Sequence, residues 1–153
     1  MVRRDRRWIV SVIGGHKCDS KAYQSAEKIG KIIAEENAIL VTGGLSGIME
    51  AASRGCKLSG GTTIGIIPGE DKNDANEYVD VVIPTGMGYS RNVLVAGCAD
   101  IVIALPGKYG TLSEIGFALN SGKTVYGLNT WDIEGVHSIN SPEEFRQIIK
   151  KMR

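Results

Sequence analysis

Histidine, cysteine, aromatic residues and charge of one sign are all scarce in this chain. There are only two histidines, and the three cysteines, Cys18, Cys56 and Cys98, are far apart and odd in number. With no C-x-x-C, that pattern excludes a disulfide framework and suits a reducing, cytoplasmic setting. His16 and Cys18 stand close together, but two ligands do not close a metal site, and no metal or cofactor is expected. Lys and Arg number 18 against 17 Asp and Glu, a formal net charge of +1. Such a balance gives no basic footprint for nucleic acid. The local exception is MVRRDRRW, with four arginines in its first seven residues. It reads as a solvated N-terminal arm over residues 1–7. It is no secretory signal, because WIVSVI is short and runs into two glycines rather than a cleavage site. No apolar run approaches the roughly 18 residues of a membrane span, so no membrane partner is expected. A length of 153 residues without a break in composition suits one domain, residues 1–153, with a proper core.

Glycine, by contrast, is plentiful at 20 residues, and it falls between apolar runs. Strands are predicted at WIVSVI (8–13), AILVT (38–42), TTIGIIP (62–68), YVDVVIP (78–84), DIVIALP (100–106) and KTVYGLN (123–129). Helix-period segments alternate with them at 20–37, 46–60, 90–99, 111–122 and from Ser141-Pro142 onward. GEDKNDANEY and WDIEGVHSIN read as loops. Asp19 or Ser20 is placed to cap the first helix, and Gly60-Gly61 to end the second. Strands that are apolar throughout are buried on both faces. The fold class is therefore α/β, a Rossmann-like, doubly wound, mainly parallel sheet of six or seven strands flanked by helices. Ligands of such sheets sit at the carboxyl ends of the strands, where the strand order reverses. Fold analogy puts that point at the first and fourth strands. Four glycine-containing loops then face the ligand: IGGHKCDS, TGGLSG, TGMGYSRN and LPGKYGT.

A helix start with glycines before it offers free N–H groups and a positive dipole end to an anion. TGGLSG and PGKYG both place G-x-x-G at such a junction, Gly44 with Gly47 and Gly107 with Gly110. Neither is a full dinucleotide fingerprint or a P-loop, and glycines also serve plain tight turns. Thr111 and Glu114 have two readings. T-x-x-E is a capping box, in which each side chain closes a free backbone N–H. Alternatively, Glu114 faces the loop mouth, where a carboxylate can stabilise an oxocarbenium-like transition state or activate water. Arg91 falls in the first turn of a helix, where the dipole disfavours a cation. Either a surface ion pair with Glu70, Asp71 or Asp74 compensates, or the guanidinium addresses a phosphate or Glu114. Neighbouring strands lie about 4.8 Å apart, so loops after the fourth and fifth strands would bring Arg91 and Glu114 to one ligand.

GGLSGIMEAASRG, the Arg91 segment and LPGKYGTLSEIGFAL, in that order, resemble the Lonely-guy family, long labelled lysine decarboxylases. The resemblance covers roughly residues 8–130. Its most specific part is P-G-G-x-G-T-x-x-E, matched by Pro106, Gly107, Gly110, Thr111 and Glu114. It implies cleavage of the N-glycosidic bond of nucleoside 5′-monophosphates to base and ribose 5-phosphate, with Arg91 and Glu114 as the catalytic pair. Phosphate or ligand binding is expected at Gly14, Gly15, Gly43, Gly44, Gly47, Asn92, Gly107, Lys108, Gly110 and Thr111. A homo-oligomer, dimer or tetramer, is also implied, with Val93, Leu94 and Val95 as a candidate contact. Lys108, Ser113 and Asn92 depart from the family pattern, where glycine, glutamate and lysine are usual. In this the chain resembles a short branch that includes the molybdenum-cofactor carrier proteins. That branch implies an alternative: a non-catalytic binding or carrier protein for a phosphorylated ligand, nucleotide or pterin. Lysine decarboxylation would need a Schiff-base lysine with its supporting acid, and no lysine here has such a setting.

Overall fold

A computed structural model describes residues 6–152. Of the expected N-terminal arm, residues 1–5 lie outside the described residues. Arg7 is docked, with its guanidinium donating to the Asn37 and Ala38 carbonyls and to the Thr62 hydroxyl.

The chain alternates strand and helix as β1 (Ile9–Ile13), α1 (Ser20–Glu35), β2 (Ile39–Thr42), α2 (Ile48–Leu58), β3 (Thr62–Ile67) and β4 (Val81–Pro84). It continues as α3 (Asn92–Gly97), β5 (Ile101–Ala104), α4 (Tyr109–Asn120), β6 (Thr124–Leu128), β7 (Val136–Ile139) and α5 (Pro142–Lys151). Asp19 caps α1 by accepting from the Ala22 N–H at 2.8 Å. Gly60, at φ 81°, stands just beyond α2 as a left-handed stop. Ser141 caps α5 ahead of Pro142, with Glu143 and Glu144 in the first turn and Lys150 and Lys151 in the last.

All strand pairs are parallel, in the order β4-β3-β2-β1-β5-β6-β7. Three details of the sequence reading change. The loop WDIEGVHSIN contains β7, whose four residues Val136–Ile139 are too few and too polar to stand out as a strand. GEDKNDANEY holds a 3-10 turn, Lys72–Asp74. The strand order reverses between β1 and β5, while β4 lies at the far edge. The first and fourth strands are therefore not neighbours, and neither are the fourth and fifth. The β4-to-β5 connection instead runs back across the carboxyl ends of β3, β2 and β1. That return crossing, rather than adjacent strands, carries Arg91 to the middle of the sheet.

The core is split by the sheet. On one face α1, α2 and α5 bury Ile29, Ile33, Ile48, Ala52, Phe145 and Ile149 against Val10, Val12, Leu40 and Ile103. On the other, α3 and α4 bury Val95, Ala96, Ile115 and Ala118 against Ile13, Val41, Val102 and Val125. Burial on both faces is why the central strands read as unbroken apolar runs. Helix α3 has only 6 residues and does not reach the sheet edge. Val81 and Ile83 of β4 therefore stay 48% and 43% exposed, in register with Ile64 and Ile66 of the α3/α4 face.

Candidate functional site

The loops after β1, β2 and β5 meet at the switch point and lock by backbone hydrogen bonds. Gly15 N–H donates to the Pro106 carbonyl at 2.9 Å, and Ile48 N–H donates to the Gly15 carbonyl at 3.0 Å. The Ser46 hydroxyl donates to the His16 carbonyl at 2.9 Å. Gly47 has φ 65°, and a Cβ there would collide with the Gly15 carbonyl oxygen. A Cβ on Gly107 would collide with Thr111 Oγ1 and lie 2.8 Å from Gly15 N. Gly14, Gly15, Gly47 and Gly107 thus belong to the seam between loops, the close-packed role that glycine serves where backbones approach. Gly44 is likewise bonded within the framework. Its N–H donates to Thr42 Oγ1, and its carbonyl accepts from Asn76 N–H. Asn76 Nδ2 donates to the Leu45 carbonyl at 2.8 Å, so the 69–78 loop is tied to TGGLSG.

Beside this seam stand Arg91 and Asn92, where a 3-10 turn (Gly88–Arg91) runs into α3. Arg91 is only 6% exposed. One amino group donates to the Gly43 carbonyl at 3.3 Å and the other to Asn92 Oδ1, while Nε has no partner. Of the two readings of Arg91, the surface ion pair with Glu70, Asp71 or Asp74 is not found among the described residues, because the guanidinium is drawn inward over the end of β2. Asn92 reaches on to Ser113 Oγ at 3.4 Å, and Ser113 donates to the Gly110 carbonyl at 2.7 Å. A hydrogen-bonded chain therefore joins Gly43, Arg91, Asn92, Ser113 and Gly110, linking β2, α3 and the first turn of α4.

Helix α4 begins two residues earlier than the pattern suggested, at Tyr109 behind Lys108, and no side chain caps it. The capping-box reading is thereby overturned. Thr111 is the third helical residue, and Glu114 lies a turn deeper, too far along to close the first N–H groups. Those amides remain open donors at the positive end of the helix dipole. Glu114 is 7% exposed. It forms no ion pair among the described residues. Burial pushes its carboxyl up to about 8, and the Arg91 charge offsets that only in part. Burial likewise lowers Arg91 from its ordinary value, with the Glu114 carboxylate pulling the other way. At neutral pH the site thus holds a guanidinium with a spare donor, an uncapped helix start and a largely protonated acid. Buried polar groups without partners are rare in native proteins and need a reason. Here the excess of donors suits an anion.

The structure brings Gly43, Arg91, Asn92, Gly110, Thr111 and Glu114 together. Lys108 stands exposed at the rim, and Gly14, Gly15, Gly44, Gly47 and Gly107 lie behind as framework. Sequence reasoning missed Trp131, whose indole N–H donates to the carbonyls of Gly107 and Lys108 at 3.1 and 3.3 Å. An aromatic three residues past the end of β6, on the ligand edge of the sheet, was the available signal. Among the described residues no helix is long and apolar enough to cross a membrane.

A parallel sheet with helices on both faces, its polar residues gathered where strand order reverses, defines a Rossmann-like α/β protein. Residues 7–152 match the sequence model of the SLOG cluster4 family, and the chain belongs to that family. A protein of Archaeoglobus fulgidus is 41% identical over 136 residues, 88% of this chain and 89% of its own length. The cytokinin riboside 5′-monophosphate phosphoribohydrolase LOG of Oryza sativa subsp. japonica is 36% identical over 118 residues, 74% of this chain. The match takes in 49% of that enzyme, so the chain spans about half the length of this relative. Among solved structures, the molybdenum cofactor binding protein of Rippkaea orientalis superposes with a TM-score of 0.91 at 34% identity. That likeness covers 97% of this chain and 99% of the other.

Proposed function

We propose that the site binds a nucleoside 5′-monophosphate and hydrolyses its N-glycosidic bond, releasing base and ribose 5-phosphate. The observation that carries this reading is the buried Arg91–Glu114 couple, with an unpartnered guanidinium nitrogen and a carboxyl held mostly neutral. The phosphate sits on the open amides of α4 with Gly110 and Thr111, and Lys108 adds charge at the rim. Arg91 positions the sugar phosphate, and Asn92 fixes Arg91. Glu114 gives its proton to the departing base as the C1′–N bond breaks. Water adds to C1′, and its proton returns to the Glu114 carboxylate, so the acid is regenerated. A carboxyl raised to about 8, not far above neutral pH, is well matched to both halves of that transfer. The likeness to the rice phosphoribohydrolase supports this assignment. Incubating the purified chain with a panel of purine and pyrimidine monophosphates is expected to liberate free base from at least one of them. No free base from any member, by chromatography, counts against hydrolysis.

A second reading has the same pocket carry a phosphorylated pterin such as the molybdenum cofactor without turnover. It is favoured by the near end-to-end likeness to the Rippkaea orientalis protein and by the neutral Asn92–Ser113 hydrogen bond beside Arg91. Mass spectrometry of small molecules released from denatured protein separates the two, since a nucleotide and a pterin differ in mass and absorbance. Nucleic acid and membrane have no part in either reading. The free thiols of Cys18, Cys56 and Cys98 suit a cytoplasmic location.

Homo-oligomerisation is part of the same proposal. Val93 and Leu94 of α3, Phe117 of α4, and Val81 and Ile83 of β4 are all more than 40% exposed. Together they give one face an apolar strip of the kind that marks interfaces. Val95 does not contribute, because it points into the core and is fully buried. Sedimentation at micromolar concentration is expected to show a dimer or tetramer, and Leu94→Asp to shift it toward monomer. A monomeric wild type would remove the idea.

A further inference from the structure

We infer that Trp131 is a positioning residue for the anion seat, resting on the phosphate-ligand reading above. The loop ahead of α4 is gripped from two sides. On the β1 side the Pro106 carbonyl accepts from Gly15 N–H. On the β6 side the single donor of the Trp131 indole is shared between the Gly107 and Lys108 carbonyls, at 3.1 and 3.3 Å. The Lys108 carbonyl also accepts the first helical bond of α4, from Leu112 N–H at 3.0 Å.

A trans peptide is planar, so each carbonyl points opposite to the N–H of the following residue. Drawing the Gly107 and Lys108 carbonyls toward Trp131 therefore turns the amides of Lys108 and Tyr109 to the opposite flank of the loop. The strand order β2-β1-β5-β6 sets Trp131, which follows β6, on one side of the β5 loop. Arg91, held over the end of β2 at Gly43, is on the other. The two amides thus face the side where Arg91 Nε lacks a partner. No side chain caps these amides. With Gly107 unable to carry a side chain, the indole holds the Gly107 peptide, and it shares the Lys108 carbonyl with Leu112 N–H.

Trp131 is itself held in place. Its ring lies against Tyr109 with centroids 6.4 Å apart and planes inclined by 31°. Trp131 is 37% exposed and is not part of either core cluster. Its ring also buries area at the loop, and a variant that keeps a ring is needed to isolate the indole N–H.

The test uses the full chain. Trp131→Phe keeps a ring and removes the donor. Its dissociation constants for AMP and for inorganic phosphate are expected to rise about five- to tenfold, the effect of one lost hydrogen bond. If the chain hydrolyses AMP, KM rises with it while kcat stays within about twofold. The chain has two tryptophans, and Trp8 lies before β1, at the opposite end of the strands. In Trp8→Phe protein, with position 131 untouched, the emission of Trp131 is expected to change on titration with AMP. That change should saturate at the concentration found by thermal shift. A Trp131→Phe protein that binds AMP and phosphate as tightly as the wild type overturns the inference and leaves the ligand reading standing. Unchanged Trp131 emission at saturating AMP also overturns it. If the wild type binds neither AMP nor phosphate, both readings fall together.

Discussion

Glu114→Gln is expected to cut the release of free base by about 100- to 10,000-fold, the usual range for loss of a positioned general acid. Affinity for ribose 5-phosphate should hardly change. Burial holds its carboxyl near 8, so at neutral pH it is mostly the neutral acid. Glutamine copies that neutral shape, which leaves the fold and the neighbouring Arg91 undisturbed, yet it has no proton to transfer to a leaving base. The effect should therefore fall on kcat. Arg91→Ala differs in kind: it removes the donor to the Gly43 carbonyl and the group addressed to the phosphate, so KM and kcat both suffer. Chromatographic assay of free base, paired with thermal shift against ribose 5-phosphate, separates the two variants. An active wild type whose Glu114→Gln form keeps its rate would show that proton donation lies elsewhere.

The same carboxyl predicts how stability depends on pH. Its ordinary value is 4.5 and its folded value about 8, so between those limits the native chain binds a proton that the unfolded chain has released. The contribution is whole below pH 4.5 and is lost as pH rises through 8, with a slope of up to about 1.4 kcal/mol per pH unit. Without ligand, the urea midpoint should thus fall from pH 5 to pH 8. In Glu114→Gln that decline should be flatter, and the variant should be the more stable protein at pH 8. Asp80 acts in the opposite direction and outside this window. Burial raises it, but the hydrogen bonds from Lys57 and Thr63 outweigh burial and hold it below its ordinary 3.8. Its contribution is present above that value and disappears only in stronger acid. Identical pH profiles for wild type and Glu114→Gln would contradict a buried, protonated acid.

Much of the architecture was legible because it is local. The apolar runs at β1, β2, β3 and β5, the cap of α1 at Asp19 or Ser20 and the helix opening at Ser141-Pro142 depend on neighbours within a few residues. They stand where the pattern put them, with Asp19 as the cap of α1. The two ends of the site were legible as well: Arg91 as a cation in a disfavoured place, Glu114 as an acid after a glycine junction. What T-x-x-E could not reveal was the true start of α4. Moving it to Tyr109 turned an apparent capping pair into a buried hydroxyl and a buried acid. Strand β7 escaped because it is an edge strand with His137 and Ser138 exposed, so only its two ends are apolar or buried. The bond between Trp131 and the glycine loop joins residues more than 20 positions apart, with no periodicity to announce it.

The amino-acid sequence alone determined most element types, the parallel sheet and most of the chemically able residues, since these follow from side-chain pattern and short-range backbone bonding. Tertiary structure decided the strand order, which glycines are framework, and the meeting of Arg91 with Glu114. The reason is physical: that meeting depends on a return crossing over three strand ends. The acid's proton depends on burial among residues distant in the chain, and neither long-range packing nor desolvation is written in any local stretch.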